Sequence, residues 1–258
     1  MLIHTSTARN YSETTENRIH SDDVAAGFGF AGGLVPGVAV FGHMTYPLVA
    51  MLGEDWLCRY QANVRLRLPA YDGDELVIRH TTNGDQHTVL CRARELLLAE
   101  LHTGPCEPTD VAPIGPGTEM EERPEIHWEN VFVDEPFPAW HWTPDAIENA
   151  EAAAQVEDDH ALYRSGIVHP HATLSTANRT FTRRYFLPAW LHVGSEIRFH
   201  RLLRVGDTVE VRTVPTAKWE RKGHEFVDLR ILYLVAGEVA TEIVHTSIFK
   251  IADRRDQA

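Results

Sequence analysis

Cysteine is scarce and unpatterned in this sequence of 258 residues. Its three cysteines, Cys58, Cys91 and Cys106, are odd in number and form no CxxC pair. A disulfide scaffold and a cysteine-ligated zinc site are therefore not expected, and reduced thiols in a cytoplasm are. Cys58 and Cys91 also have no local support as nucleophiles. Positive charge is short as well: 24 Lys and Arg stand against 37 Asp and Glu, a net charge of −13. A surface of that sign repels a phosphate backbone, so no nucleic-acid partner is expected. Long apolar runs are missing. A membrane helix needs about 18 such residues, and the best stretch, VAVFGHMTYPLVAML, is interrupted by His43 and Pro47. The opening MLIHTSTARNYSE lacks the basic end and apolar middle of a signal peptide. Metal spacing is absent too: HPH at 169–171, with His192 and His224, comes without HExxH or Cys/His periodicity, and no metal is expected. GFGFAGG has no following GK[ST], so it is not a phosphate loop.

What the sequence does contain is one unit written twice. Offset by 133 residues, GLVPGVA from Gly33 falls on GIVHPHA from Gly166, and NVRLRLPAYDGDELVIR from Asn63 falls on EIRFHRLLRVGDTVEVR from Glu196. Arg65 meets Arg198, Gly73 meets Gly206 and Asp74 meets Asp207 in one register. Each copy opens with an apolar run of helix length, at 37–52 and 170–186, and continues in alternating strand patterns punctuated by Gly-Asp turns. VLCRARELLLAELHT fits helix or strand by pattern, and its alignment with the second copy favours strand. A buried helix followed by an antiparallel sheet, repeated, predicts an α+β fold with two sheets, each wrapped around its own helix. The join is placed in PCEPTDVAPIGPGTEMEERPE, giving repeats at 1–125 and 126–258. Two such repeats pair within one chain as a pseudo-dimer, and a further homodimer is left open.

The segment ENRIHSDD (16–23), then Gly29-Phe30 and the step VPG into the helix, resembles the MaoC-like (R)-specific enoyl-thioester hydratases and 3-hydroxyacyl-thioester dehydratases of double hot-dog type. Their motif reads Asp-x-Asn-Pro-x-His, with an Asp two residues on. His20 matches the histidine, Asn17 the asparagine, Asp22 the following Asp, and Gly37 the glycine that opens the helix. Thr15 stands where the family keeps its catalytic Asp, and Arg18 replaces the Pro. The resemblance implies water addition or removal at the 2,3 position of an acyl thioester. His20 would be the acid/base, Asn17 would orient water or substrate, and the Gly37 N–H would polarise the carbonyl. No cofactor is implied beyond the coenzyme A or pantetheine of the substrate.

Thr15 can position water but cannot act as a base. Glu16 beside it and Asp158 of the second copy are the candidate replacements. The second copy carries a relic of the motif in DDHALY (158–163), with Asp158, His160 and Tyr163. It has Pro170, which lacks an N–H, where the first copy has Gly37. Only two residues separate Tyr163 from Gly166 there, against twelve between His20 and Gly33, so a short helix is expected to be missing. The second copy is thus expected to shape the acyl pocket. Phe30, Pro36, Tyr163, His169, Phe186 and Trp190 are expected to line it, with Arg198, Arg221 and Lys222 (or Arg183 and Arg184) meeting the phosphates of coenzyme A or a pantetheine arm. Two other readings stay open: a hot-dog thioesterase, although neither helix contains the carboxylate many of them use, and a non-catalytic acyl-thioester binding or assembly subunit.

Overall fold

The computed structural model describes residues 1–107 and 110–252. In chain order the first half comprises β1 (Leu2–Thr7), α1 (Asp22–Phe28), α2 (Gly37–Leu52), α3 (Trp56–Arg59), β2 (Tyr60–Leu66), β3 (Glu75–Asn83), β4 (Gln86–Ala93) and β5 (Leu96–Pro105). The second half comprises β6 (Trp140–Trp142), α4 (Ala146–Gln155), α5 (Ala161–Arg164), α6 (Pro170–Arg184), β7 (Leu191–Phe199), β8 (Val209–Arg221), β9 (His224–Val235) and β10 (Glu238–Lys250). No helix among the described residues is long and apolar enough to cross a membrane.

The strands follow from period-two burial. Val209, Val211 and Thr213 of β8, and Val227, Leu229, Ile231 and Tyr233 of β9, turn inward while their neighbours turn out. The ambiguous VLCRARELLLAELHT folds as the hairpin β4–β5. Arg94 and Glu95 both take positive φ there (49° and 62°), the tight turn that matches strand twist. Ala236 and Gly237 repeat the device between β9 and β10, at 54° and 82°.

All ten strands among the described residues join one antiparallel sheet in the order β1-β3-β4-β5-β2-β7-β10-β9-β8-β6. That order reads the same from either end once each strand is replaced by its repeat partner. At the centre Asn63 of β2 lies opposite Glu196 of β7, and its Nδ2 donates to Glu196 Oε1 at 3.2 Å. These are residues that the 133-residue offset equates, so the internal twofold axis passes between them. The bridges Leu34–Tyr71 and Ile167–Arg204 repeat by the same offset.

The two long helices pack against the sheet and on each other. Gly42 makes the contact close: a Cβ there would press on His171 of α6 and on Val156, at 2.9 Å from each. Phe41, Met44 and Leu48 of α2 and Leu174, Ala177 and Phe181 of α6 are buried against the strands in one continuous core. The expected loss of a short helix in the second half is visible: α1 has no counterpart between Tyr163 and Gly166. Instead the second half carries α4, started by Asp145, whose Oδ1 accepts the N–H groups of Ile147 and Glu148. The two halves thus share one sheet instead of the two expected, and the Pro-, Gly- and acid-rich join, of which residues 108–109 lie outside the described residues, runs across its second half. Arg230 and Arg212 hold it there by donating to the carbonyls of Ala112 and Ile114.

Candidate functional site

Asn17 caps the short 3-10 turn Arg18–His20 and binds the second half at the same time. Its Oδ1 accepts the Trp190 N–H (3.1 Å) and the Ile19 N–H (3.4 Å), and its Nδ2 donates to the Trp190 carbonyl (3.1 Å). A backbone donor and a backbone acceptor fix which end of the amide is which. Nδ2 therefore also donates to His20 Nε2, at 3.3 Å. On the other side of the ring, His20 Nδ1 lies 2.6 Å from the Leu34 carbonyl, which can only accept. The proton is on Nδ1, and the Nε2 lone pair accepts from Asn17 Nδ2 at the edge of the cavities. Burial lowers the His20 pKa, and the Leu34 carbonyl opposes only part of that shift. At neutral pH the ring is uncharged.

The loop is clamped where it turns back toward α2. Asn10 Nδ2 donates to the His20 carbonyl at 2.8 Å, and the Gly33 N–H donates to Asp22 Oδ1 at 2.7 Å. A Cβ on Gly33 would overlap the His20 carbonyl oxygen, a backbone atom that cannot rotate away. Gly33→Ala is thus expected to destabilise the fold by about 2–3 kcal/mol and to displace His20. A urea midpoint unchanged from wild type would contradict this.

Two cavities meet at His20. An apolar one of about 220 Å³ is walled by Ile19, Phe30, Val40, Leu66, Leu191 and Ile248. A second, of about 330 Å³ and polar in most of its side chains, is walled by Arg9, Thr15, Gln155, Ser175, Arg179 and Thr182, with Val38 and Ala39 among its apolar members. Asn17, His20, Pro36, Asn178 and Trp190 border both. Gly37, in the wall of the apolar cavity, is the first residue of α2, where an N–H has no intrahelical acceptor. A Cβ there would displace the Leu66 side-chain end and press on the His192 ring, at 3.1 Å from its Nδ1. The positive end of the α2 dipole thus faces the cavity that holds His20.

The structure places Asn17, His20, Phe30, Pro36, Gly37 and Trp190 around the apolar cavity, and Thr15 and Glu16 at the polar one. Thr15 Oγ1 donates to the Ser12 carbonyl, and Glu16 is paired with Arg123 at 2.6 Å. Other expected members lie elsewhere. Asp158 does not substitute for the missing carboxylate beside His20. It is buried in the second half between His160 (2.6 Å) and His169 (3.2 Å) and borders a separate cavity of about 540 Å³, together with Tyr163. Burial pushes the Asp158 pKa up, but the hydrogen bond and charge of His169 and the hydrogen bonds of His160 outweigh it and hold it below its ordinary value. His169 and Tyr163 belong to that cluster and not to the His20 cavities, because α5 runs directly into Gly166 and keeps them there. Arg198 sits on the sheet in a groove with Asn63 and Glu196, 4.0 Å from Glu242. Arg221 and Lys222 form the end of the β8–β9 hairpin, outside both walls. Phe186 is 41% exposed and pairs its backbone with Glu125 and Ile126, so it is no cavity wall.

One border residue, Asn178, gives no sign in the sequence beyond its helical spacing from Ser175 and Thr182. A face of α6 that carries Ser175, Asn178 and Thr182 in place of large apolar residues is the signal that could have marked the polar cavity.

No family model and no curated protein matches this sequence. Solved structures do. The MaoC domain protein of Chloroflexus aurantiacus J-10-fl superposes with a TM-score of 0.67 at 14% identity, covering 95% of this chain and 93% of its own. Rv0216 of Mycobacterium tuberculosis, described as a double hot-dog fold, reaches 0.61 at 14% identity over 96% and 95%. The dehydratase domain of PpsC from the same organism, in complex with C12:1-CoA, reaches 0.51 at 11% over 95% and 92%. A structure named as an oleoyl thioesterase, from Lactobacillus plantarum, shares the architecture as well, with a TM-score of 0.55 at 11% identity. This chain has the double hot-dog fold, the architecture of MaoC-like dehydratases.

Proposed function

We propose that the protein is a hydratase or dehydratase that adds or removes water at the 2,3 position of an acyl thioester. The observation that carries this reading is the neutral His20, with its Nε2 lone pair at the junction of two cavities and the α2 amino terminus on the apolar side. In the hydration direction the enoyl thioester lies with its carbonyl oxygen toward the Gly37 N–H. Water attacks C3 as His20 Nε2 takes its proton, and the electron pair of the double bond moves to the carbonyl oxygen. The Gly37 N–H and the helix dipole stabilise the enolate. The imidazolium then returns its proton to C2, so one group serves as base and acid in turn. The reverse sequence expels water from a 3-hydroxyacyl thioester. Asn17 does not need to ionise: it holds the loop against the Trp190 backbone, and its long 3.3 Å hydrogen bond to Nε2 gives way as the ring takes the water proton. A single histidine in this role accommodates the threonine at position 15.

The thioesterase reading lacks a carboxylate on α2 or α6. The test is incubation with crotonyl-CoA, following the ultraviolet absorbance of the conjugated thioester and free thiol in parallel. Loss of absorbance without thiol is the expected result. Thiol release would make the protein a thioesterase. Binding with neither change would leave it an acyl-thioester binding subunit.

A further inference from the structure

A chain of buried polar groups runs through the second half and ends in the wall beside His20. It starts at His192, whose Nε2 lies 3.0 Å from the Gly194 carbonyl and 2.9 Å from Ser195 Oγ. A carbonyl only accepts, so Nε2 carries the proton of this ring. Burial depresses the His192 pKa to about 4, which keeps the ring neutral. Ser195 Oγ thus accepts from His192 and must direct its own hydrogen elsewhere. Its neighbour is His245 Nδ1, at 2.9 Å. With Nδ1 accepting, the proton of His245 is on Nε2, which lies 3.0 Å from Asn178 Oδ1. Ser195 and His245 are buried, and the two imidazoles stack at 4.1 Å, so no ring can turn over without breaking the chain.

Every donor in this chain points the same way, and the last acceptor is the Asn178 carbonyl oxygen. The Asn178 amide is therefore held with its NH₂ end away from His245. Asn178 borders both cavities, as His20 does, whereas Gly37 borders only the apolar one. Resting on the function proposed above, we infer that Asn178 is a second substrate-contacting residue, supplied by the other half of the chain. Its Nδ2–H donates to the oxygen added to or removed from C3. In hydration this hydrogen bond orients the water so that one O–H faces His20 Nε2. In dehydration it stabilises the departing oxygen while His20 delivers the proton. A neutral donor fixed by a buried network thus positions the water where the related motif has a carboxylate and this chain has Thr15.

The experiment compares (R)-3-hydroxybutyryl-CoA with butyryl-CoA, which lacks the 3-hydroxyl, by calorimetric titration. The protein carries His20→Ala to silence turnover, with and without Asn178→Ala. With Asn178 present the hydroxylated thioester is expected to bind about tenfold more tightly, and with Asn178→Ala the two should bind within twofold of each other. Ser195→Ala, which leaves Asn178 in place but releases His245, should lose part of the preference. An unchanged preference in Asn178→Ala overturns the inference even if wild type hydrates crotonyl-CoA. A lost preference in a protein whose wild type shows no hydration supports the contact and removes the proposed reaction. Binding of neither thioester overturns both.

Discussion

Replacing His20 with alanine is expected to lower the rate of crotonyl-CoA hydration by a factor of about 10² to 10⁴, with acyl-CoA affinity within a fewfold of wild type. The reason is that Nε2 is the unprotonated base at the junction of the cavities, while the groups that enclose a ligand, from Phe30 to Ile248, do not depend on the ring. Folding should survive the change: the His20 backbone carbonyl, which Asn10 holds, is retained, and the Asn17 clamp on Trp190 is made by other atoms. The pH dependence gives a second readout. Because the His20 pKa is lowered, the base stays unprotonated at neutral pH, and the rate should fall only as the pH drops through a value below 6.5. A variant that retains wild-type turnover would remove His20 from the chemistry. An acid limb centred above 6.5 would mean that a different group is titrating.

Acid should unfold this protein through its buried histidines before its carboxylates are protonated. Burial holds His43 down to about 3, and His171 and His192 to about 4. In the unfolded chain each titrates near 6.5. Between those values the unfolded state binds protons that the folded state does not, so stability rises with pH across this window and is lost as pH falls from about 6.5 toward 4. Each histidine contributes up to about 1.4 kcal/mol per pH unit. Since an unfolded histidine is only half protonated at pH 6.5, the three together are worth on the order of 6 kcal/mol from pH 6.5 to 4.5, comparable with the whole stability of an ordinary domain, about 5–15 kcal/mol. Asp158 acts lower down: its depressed pKa contributes stability above its unfolded value near 3.8 that is lost only as pH falls further. Urea unfolding at pH 7 and pH 4.5 measures the difference. A midpoint that does not move would show that these rings are hydrated or charged in the folded protein. Circular dichroism at each pH also separates this loss from the acid limb of His20.

Much of the architecture was legible because it is written in local patterns. The equivalent Gly-Asp turns at Gly73 and Gly206 and the alternation of β8 and β9 each depend on a few neighbouring residues, whereas the turn at Arg94–Glu95 that splits VLCRARELLLAELHT into two strands carries no glycine, proline or asparagine to mark it. The 133-residue offset then told which strands correspond. The near-contiguous segment from Asn17 to Gly37 was legible for the same reason: a cap, a ring and a helix start follow one another along the chain. Asp158 was misplaced because its sequence pattern says that a carboxylate is kept but not which histidines it will meet. His160 and His169 hold it in another cavity. Arg198, Arg221 and Lys222 lie outside both cavities, because a strand pattern gives the alternation of faces without saying which part of the sheet borders them.

The sequence by itself determined the duplication, the strand-and-helix grammar of each copy, and the histidine, asparagine and glycine that the first copy presents. Tertiary structure decided the rest of the site, since its polar geometry crosses the internal twofold axis. Asn17 is oriented by the backbone of Trp190, 173 residues away. Asn178 is oriented by His245, 67 residues away, through a donor chain that starts at a carbonyl on β7. Hydrogen-bond direction in such a chain is set by the one group that can only accept. Which group that is emerges only when α6, β7 and β10 are packed together.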